Sequence, residues 1–125
     1  MPTVQGTNYL NVTTTAVLLD STYDLTLKDN NGNVFPKTTI EITANLGDGE
    51  FNLPSIASLG GSAANCQVVI VSNGATNNVL IDPALTDRVG SAPAGVAYLL
   101  PAPGAGQSIV LYPVDANTWG YNVTA

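Results

Sequence analysis

Histidine is missing altogether, and cysteine occurs once, at Cys66. Without histidine the chain lacks the commonest general base and metal ligand near neutral pH. A Cys-His nucleophile pair and a zinc site built from histidine and cysteine are both out of reach within one chain. A single cysteine forms no intrachain disulfide. Positive charge is almost as scarce: Lys28, Lys37 and Arg88 stand against nine acidic residues, giving a net charge of −6. Phosphate neutralisation needs clustered Lys or Arg, so direct nucleic-acid binding is not expected. Charged residues of both signs make up 10% of the chain, against about a quarter in a typical soluble domain. There is no apolar run of transmembrane length, and "MPTVQGTNYL" has neither the basic n-region nor the apolar h-region of a leader. No membrane span is expected, and the chain is expected to stay in the compartment where it is made.

What is present is a hydrophobic fraction of 45% with polarity carried by Thr, Asn, Ser and Gly. Such residues suit strands and turns and lose less on partial burial than charges do. A chain of 125 residues is one domain and buries roughly two-thirds of its unfolded surface. Period-two patterning dominates. In "YDLTLK", Tyr23, Leu25 and Leu27 alternate with Asp24, Thr26 and Lys28, and "TIEIT" repeats the pattern with Ile40 and Ile42. "QVVIV" (67–71) is apolar on both faces and predicts a central strand covered on both sides. "VLID", "VAYLL" and "SIVLYPV" add three strands, and "DANTWGYNVTA" closes the chain with Trp119, Tyr121 and Val123 on one face. Pro36, Pro54, Pro83 and Pro113 each follow an apolar stretch, where they would end pairing or blunt an edge. The one helical candidate is the turn "PSIASLGG", capped by Ser55 and stopped at Gly60-Gly61. No repeat strong enough for a solenoid is visible. The pattern predicts an all-β single domain, an antiparallel β-sandwich or barrel (jelly-roll or β-tulip-like) with at most one short helical turn.

The acidic residues invite a catalytic or metal reading. A glycosidase needs two carboxylates across a cleft, and Asp82, Asp87 and Asp115 are the candidates; nothing in their spacing requires them to meet, and acids near turns usually bond to local backbone. "DNNGN" (29–33) and "GDGE" (47–50) offer oxygen ligands but lack the alternating ligands and distal Glu of a calcium loop. Asn, Asp and Gly are also what tight turns demand. "ITANLGDGEFNLP" accordingly reads as a hairpin, with Asp48 and Glu50 solvating its turn and Pro54 ending the second strand. "PGAGQS" lacks the Lys-Ser/Thr of a phosphate loop and reads as another hairpin loop. No enzyme activity, metal or cofactor is expected.

Taken together, "ANLGDGEFNLPSIASLGG…CQVVIVSNG…NNVLIDPA…SIVLYPVDANTWGY" resembles a module of tailed-bacteriophage virion proteins. The resemblance runs from about Ala44 to Val123. Its elements are Leu53-Pro54 before a small-residue corner, the apolar strand Val68 to Val71, the strand end Ile81 to Pro83, and the late strand Ile109 to Pro113 leading to Trp119 and Tyr121. Where such proteins carry "I-x-G" after the central strands, this chain has "DRVGSAPAG". Within that class it is most like a small head decoration (cement) protein. The resemblance implies a homotrimer on the outer surface of the phage head that binds the major capsid (coat) protein and stabilises the shell by bridging coat subunits. The alternative it implies is a tail-fibre or spike module that binds a host receptor or glycan; one β domain opening at Met1, with nothing fibrous, favours decoration. Residues 1–10 are expected to be an N-terminal arm on a β domain of residues 11–125, with coat contacts from Pro2, Thr3, Val4, Gln5, Tyr9 and Leu10. Tyr112, Trp119 and Tyr121 are the residues named for the subunit interface, with core packing as the alternative that the sequence does not separate from it.

Overall fold

The structure, a computed structural model, describes residues 12–19, 22–45, 49–72, 77–100 and 106–124. Among these residues ten strands and one 3-10 segment follow one another: β1 (Val12–Leu19), β2 (Thr22–Asp24), β3 (Lys37–Asn45), β4 (Gly49–Asn52), the 3-10 segment (Ile56–Asn65), β5 (Gln67–Ser72), β6 (Val79–Asp82), β7 (Arg88–Val89), β8 (Tyr98–Leu100), β9 (Ser108–Asp115) and β10 (Thr118–Thr124). They form a six-stranded sheet, β1-β3-β5-β9-β10-β7, and a four-stranded sheet, β2-β4-β6-β8. The all-β single-domain expectation holds.

Its antiparallel part holds only for the C-terminal strands. From β1 to β6 the chain alternates between the two sheets, laying one strand on each in every pass. β1, β3 and β5 therefore stack in parallel, as do β2, β4 and β6. This is a three-coil winding, although no sequence repeat marks it. The repeat is hidden because its length varies: Val12 pairs with Lys37, 25 positions on, whereas Lys37 pairs with Gln67 and Gly49 with Val79, each 30 positions on. Antiparallel strands then close the far end, β8 on β6 and β9 on β5, with β10 on β9.

The winding also corrects two turns. β3 and β4 lie in different sheets, so "ITANLGDGEFNLP" crosses between sheets and is not a hairpin; Asp48 itself lies outside the described residues. β8 and β9 likewise lie in different sheets, so "PGAGQS" does not join a hairpin; residues 103–105 lie outside the described residues, and Gly106 and Gln107 bond Ser72 of β5 through the backbone. Alternation places Ile40, Ile42, Phe51 and Leu53 on inward faces in either arrangement, which is why the sequence pattern does not distinguish them. The turn at "DAN" is a true hairpin joining β9 to β10, with the Asn117 N–H donating to Asp115 Oδ1 at 2.9 Å.

Both sheets contribute inward residues to one core. Ile42, Ile70 and Leu111 come from the larger sheet and Phe51, Val79 and Ile81 from the smaller. Full burial of each such side chain contributes roughly 1.5–3 kcal/mol. Tyr23 meets Phe51 edge to face at 5.7 Å and 73°. β5 is central in its sheet, as expected, but only its inner face is buried; Gln67, Val69 and Val71 are half-covered. The expected helical turn is a 3-10 segment whose N-cap, Ser55, accepts from the Ser58 N–H at 3.2 Å, and it breaks at Gly60 before continuing to Asn65. Pro113 does not end β9, which runs on to Asp115 through a bulge opposite Thr118 and Trp119.

Candidate interaction surface

Three carboxylates, Asp24, Glu50 and Asp82, carry the charge on the outer face of the smaller sheet, with the Asn52 amide among them. Register sets Asp24 beside Asn52 and Asn52 beside Asp82, while Glu50 stands one step away beside Thr22 and Leu80. The Asn52 amide donates to Asp24 Oδ1 at 2.8 Å. Glu50 is hydrogen-bonded to Asp82, and its carboxyl is raised above its usual range by partial burial first and then by the Asp82 charge. Next to this acidic half the face turns aliphatic: Leu80 pairs with Leu99, which is 47% exposed. Leu85, at 87% exposure, and Val96 extend exposed aliphatic surface along the preceding loop. The three cations of the chain lie elsewhere, on the 28–34 hairpin, at the start of β3 and on β7.

Like charges on adjacent strands oppose sheet formation, so the Glu50-Asp82 pair costs stability when both are ionised. Folding raises the Glu50 pKa, so the native state holds that proton more tightly than the unfolded chain does. The contact therefore stabilises at acid pH, and that contribution is lost as pH rises through the folded-state value. Glu50→Gln should then be more stable than the parent at neutral pH by about 0.5 kcal/mol, a figure kept small by solvent screening. Thermal melts of the two proteins across pH should converge below the ordinary carboxylate range; a constant offset at all pH values would contradict the pairing.

The three acids considered for catalysis take three separate environments. Asp82 is on that outer face. Asp115 sits exposed in the hairpin turn, where the Asn117 N–H holds its carboxyl below the usual range. Asp87 is fully buried and accepts from the Ile56 N–H at 2.8 Å, the Thr86 hydroxyl at 3.2 Å and the Asn117 amide at 3.4 Å. It ties the 3-10 segment to the β9–β10 turn, a role that no sequence signal separates from those of the other turn acids. The Asp29 carboxylate likewise accepts from the Asn31 and Asn33 N–H groups, at 2.8 and 2.9 Å, which makes "DNNGN" a self-bonded turn. Among the described residues no group of three or more acids and cysteines is placed to hold a metal ion. Burial pushes the Cys66 thiol up to about 11, so it stays protonated.

The aromatic residues expected at a subunit interface do not form one surface. Trp119 has 0% exposure and belongs to the core, which corrects that expectation for this residue. Tyr121 lies half-buried at the core's edge, its ring 4.6 Å from that of Tyr98, and so links β10 of one sheet to β8 of the other. It rests on Gly90, whose φ of +61° and close approach leave no room for a side chain: a Cβ there would come within 2.8 Å of the ring. Tyr112 stands on the outer face of the larger sheet above Gly120, where a Cβ would meet its ring at 2.6 Å. Pro2, Thr3, Val4, Gln5, Tyr9 and Leu10, expected to contact the coat, lie outside the described residues, as does the boundary between arm and domain.

Depressions also mark the described surface. A groove of about 360 Å³ runs between the 3-10 segment and the end of β9, lined by Ile56, Ala57, Gly60, Pro113 and the exposed Val114. A cleft of about 370 Å³ opens beside β2 and β3, lined by Tyr23, Phe35, Lys28, Asn30 and Thr38. No helix among the described residues is long and apolar enough to cross a membrane. No protein-family model, curated protein or solved structure matches this chain.

Proposed function

We propose that this chain is a head decoration protein of a tailed bacteriophage, binding the outer surface of the capsid and bridging coat subunits. The observation that carries the reading is the outer face of the smaller sheet, which joins the aliphatic pair Leu80 and exposed Leu99 to the carboxylates of Glu50, Asp82 and Asp24. A broad, shallow surface of that kind fits another protein's surface better than it fits a small substrate. A coat surface presenting Lys or Arg beside aliphatic side chains would complement it. The sequence resemblance supports the same reading, as does the low charge, which keeps the cost of desolvating a large interface small.

The test is cosedimentation of the purified chain with undecorated capsids. Saturable binding is expected, weakened by Leu99→Asp and by raised salt; capsids that sediment without the chain would overturn the reading. A second reading, a tail-fibre or spike module that binds host glycans, draws on the cleft lined by Tyr23, Phe35, Lys28 and Asn30, since aromatic rings beside polar side chains suit sugars. Saturable glycan binding without capsid binding would select it.

A further inference from the structure

The two ends of the winding differ. At the far end antiparallel strands cover β5 and β6, and the sheets finish there on β7 and β8, edge strands of only two and three residues. At the near end, among the described residues, β1 pairs only with β3 and β2 only with β4, so both sheets finish there with a free edge. Stacked coils need closed ends, because an uncapped coil leaves a row of unpaired N–H and C=O groups. Proteins usually defend such edges with charge, proline or bulges. β1 is eight residues long and reads "VTTTAVLL", with no charged residue, proline or glycine; its one bulge lies late, between Val17 and Leu18. The core is unfinished on the same side: Thr38, next to β1 in register, is 1% exposed, and its hydroxyl finds no hydrogen-bond partner.

We infer that this end is an interface between two copies of the chain, joined edge to edge. A single two-fold axis normal to the sheets pairs β1 with its own copy and β2 with its own copy, both antiparallel. One operation therefore closes both edges and makes a continuous twelve-stranded sheet from two six-stranded ones. A different partner would have to supply two strands at the same separation. Because β1 carries no charge, self-pairing sets no like charges opposite each other. This arrangement is independent of the decoration reading and differs from the three-fold one that the resemblance implies.

Light scattering coupled to size exclusion on the full chain should give a mass twice 12.8 kDa, with dissociation on dilution. Successive residues of a strand point their N–H groups to opposite sides, so of Thr14→Pro and Thr15→Pro one strikes the β3 ladder and the other the open edge. The edge-side variant should be a folded monomer. Amide exchange on the parent protein provides a second readout: alternate β1 amides should be protected as well as those of β3, and should lose that protection on dilution. A monomer at all concentrations, a trimer, a dimer untouched by both prolines, or rapid exchange of those amides would overturn the inference. Capsid cosedimentation is read separately, so a monomer that still binds capsids overturns the pairing alone.

Discussion

Asp87→Ala is expected to destabilise the fold by about 3 kcal/mol, because it removes a fully buried carboxylate that accepts from three donors, among them the buried Ile56 N–H. For a chain of this length that corresponds to a fall in Tm of about 11 °C. The Ile56 N–H would lose its acceptor in the core and the exposed Asn117 amide would turn to solvent, undoing the tie between the 3-10 segment and the β9–β10 turn. Asp87→Asn keeps an oxygen for the Ile56 N–H and should lose markedly less. Denaturant melts of the two variants decide the matter. Equal, small losses would mean that the carboxylate is dispensable. A loss of capsid binding with full stability would move Asp87 from the scaffold to the interface.

Trp119→Ala should be the most damaging single truncation. The ring is fully buried among residues of both sheets, and removing a buried tryptophan costs about 4 kcal/mol, or about 15 °C in Tm. Trp119→Phe should cost much less, since it keeps an aromatic ring and removes an indole N–H that finds no partner. As the only tryptophan in the chain, Trp119 also reports on the fold: its emission should be blue-shifted, resist soluble quenchers and shift to the red on unfolding. An interface residue would behave differently, because truncation would weaken assembly and leave the melting of the free chain unchanged. Tyr112, on the outer face of the larger sheet, is the aromatic residue for which that second pattern remains open.

Side-chain alternation alone determined most of the strands and which of their residues face inward, but not β1 or β7, and it carried the strand at Tyr23 on to Lys28 where the ladder ends at Asp24. Ile40 and Ile42, Val68 and Ile70, and Ile109 and Leu111 are buried where the period of two puts them. The Ser55 cap, the Asp29 turn and the Asp115–Asn117 hairpin were legible too, because each rests on hydrogen bonds between residues a few positions apart. Pairing was not legible. A strand bound for a hairpin and a strand bound for the opposite sheet show the same alternation, and glycines such as Gly47 and Gly49 suit either path. Only packing around one core decides that β3 lies beside β1 and β5 and that β4 joins the other sheet. Burial of polar groups is likewise a tertiary property. Asp87 and Asp115 look alike as turn acids, yet one lies at the junction of three chain segments and the other in solvent. The Glu50-Asp82 contact also depends on register between strands 30 positions apart, a separation that no local pattern encodes.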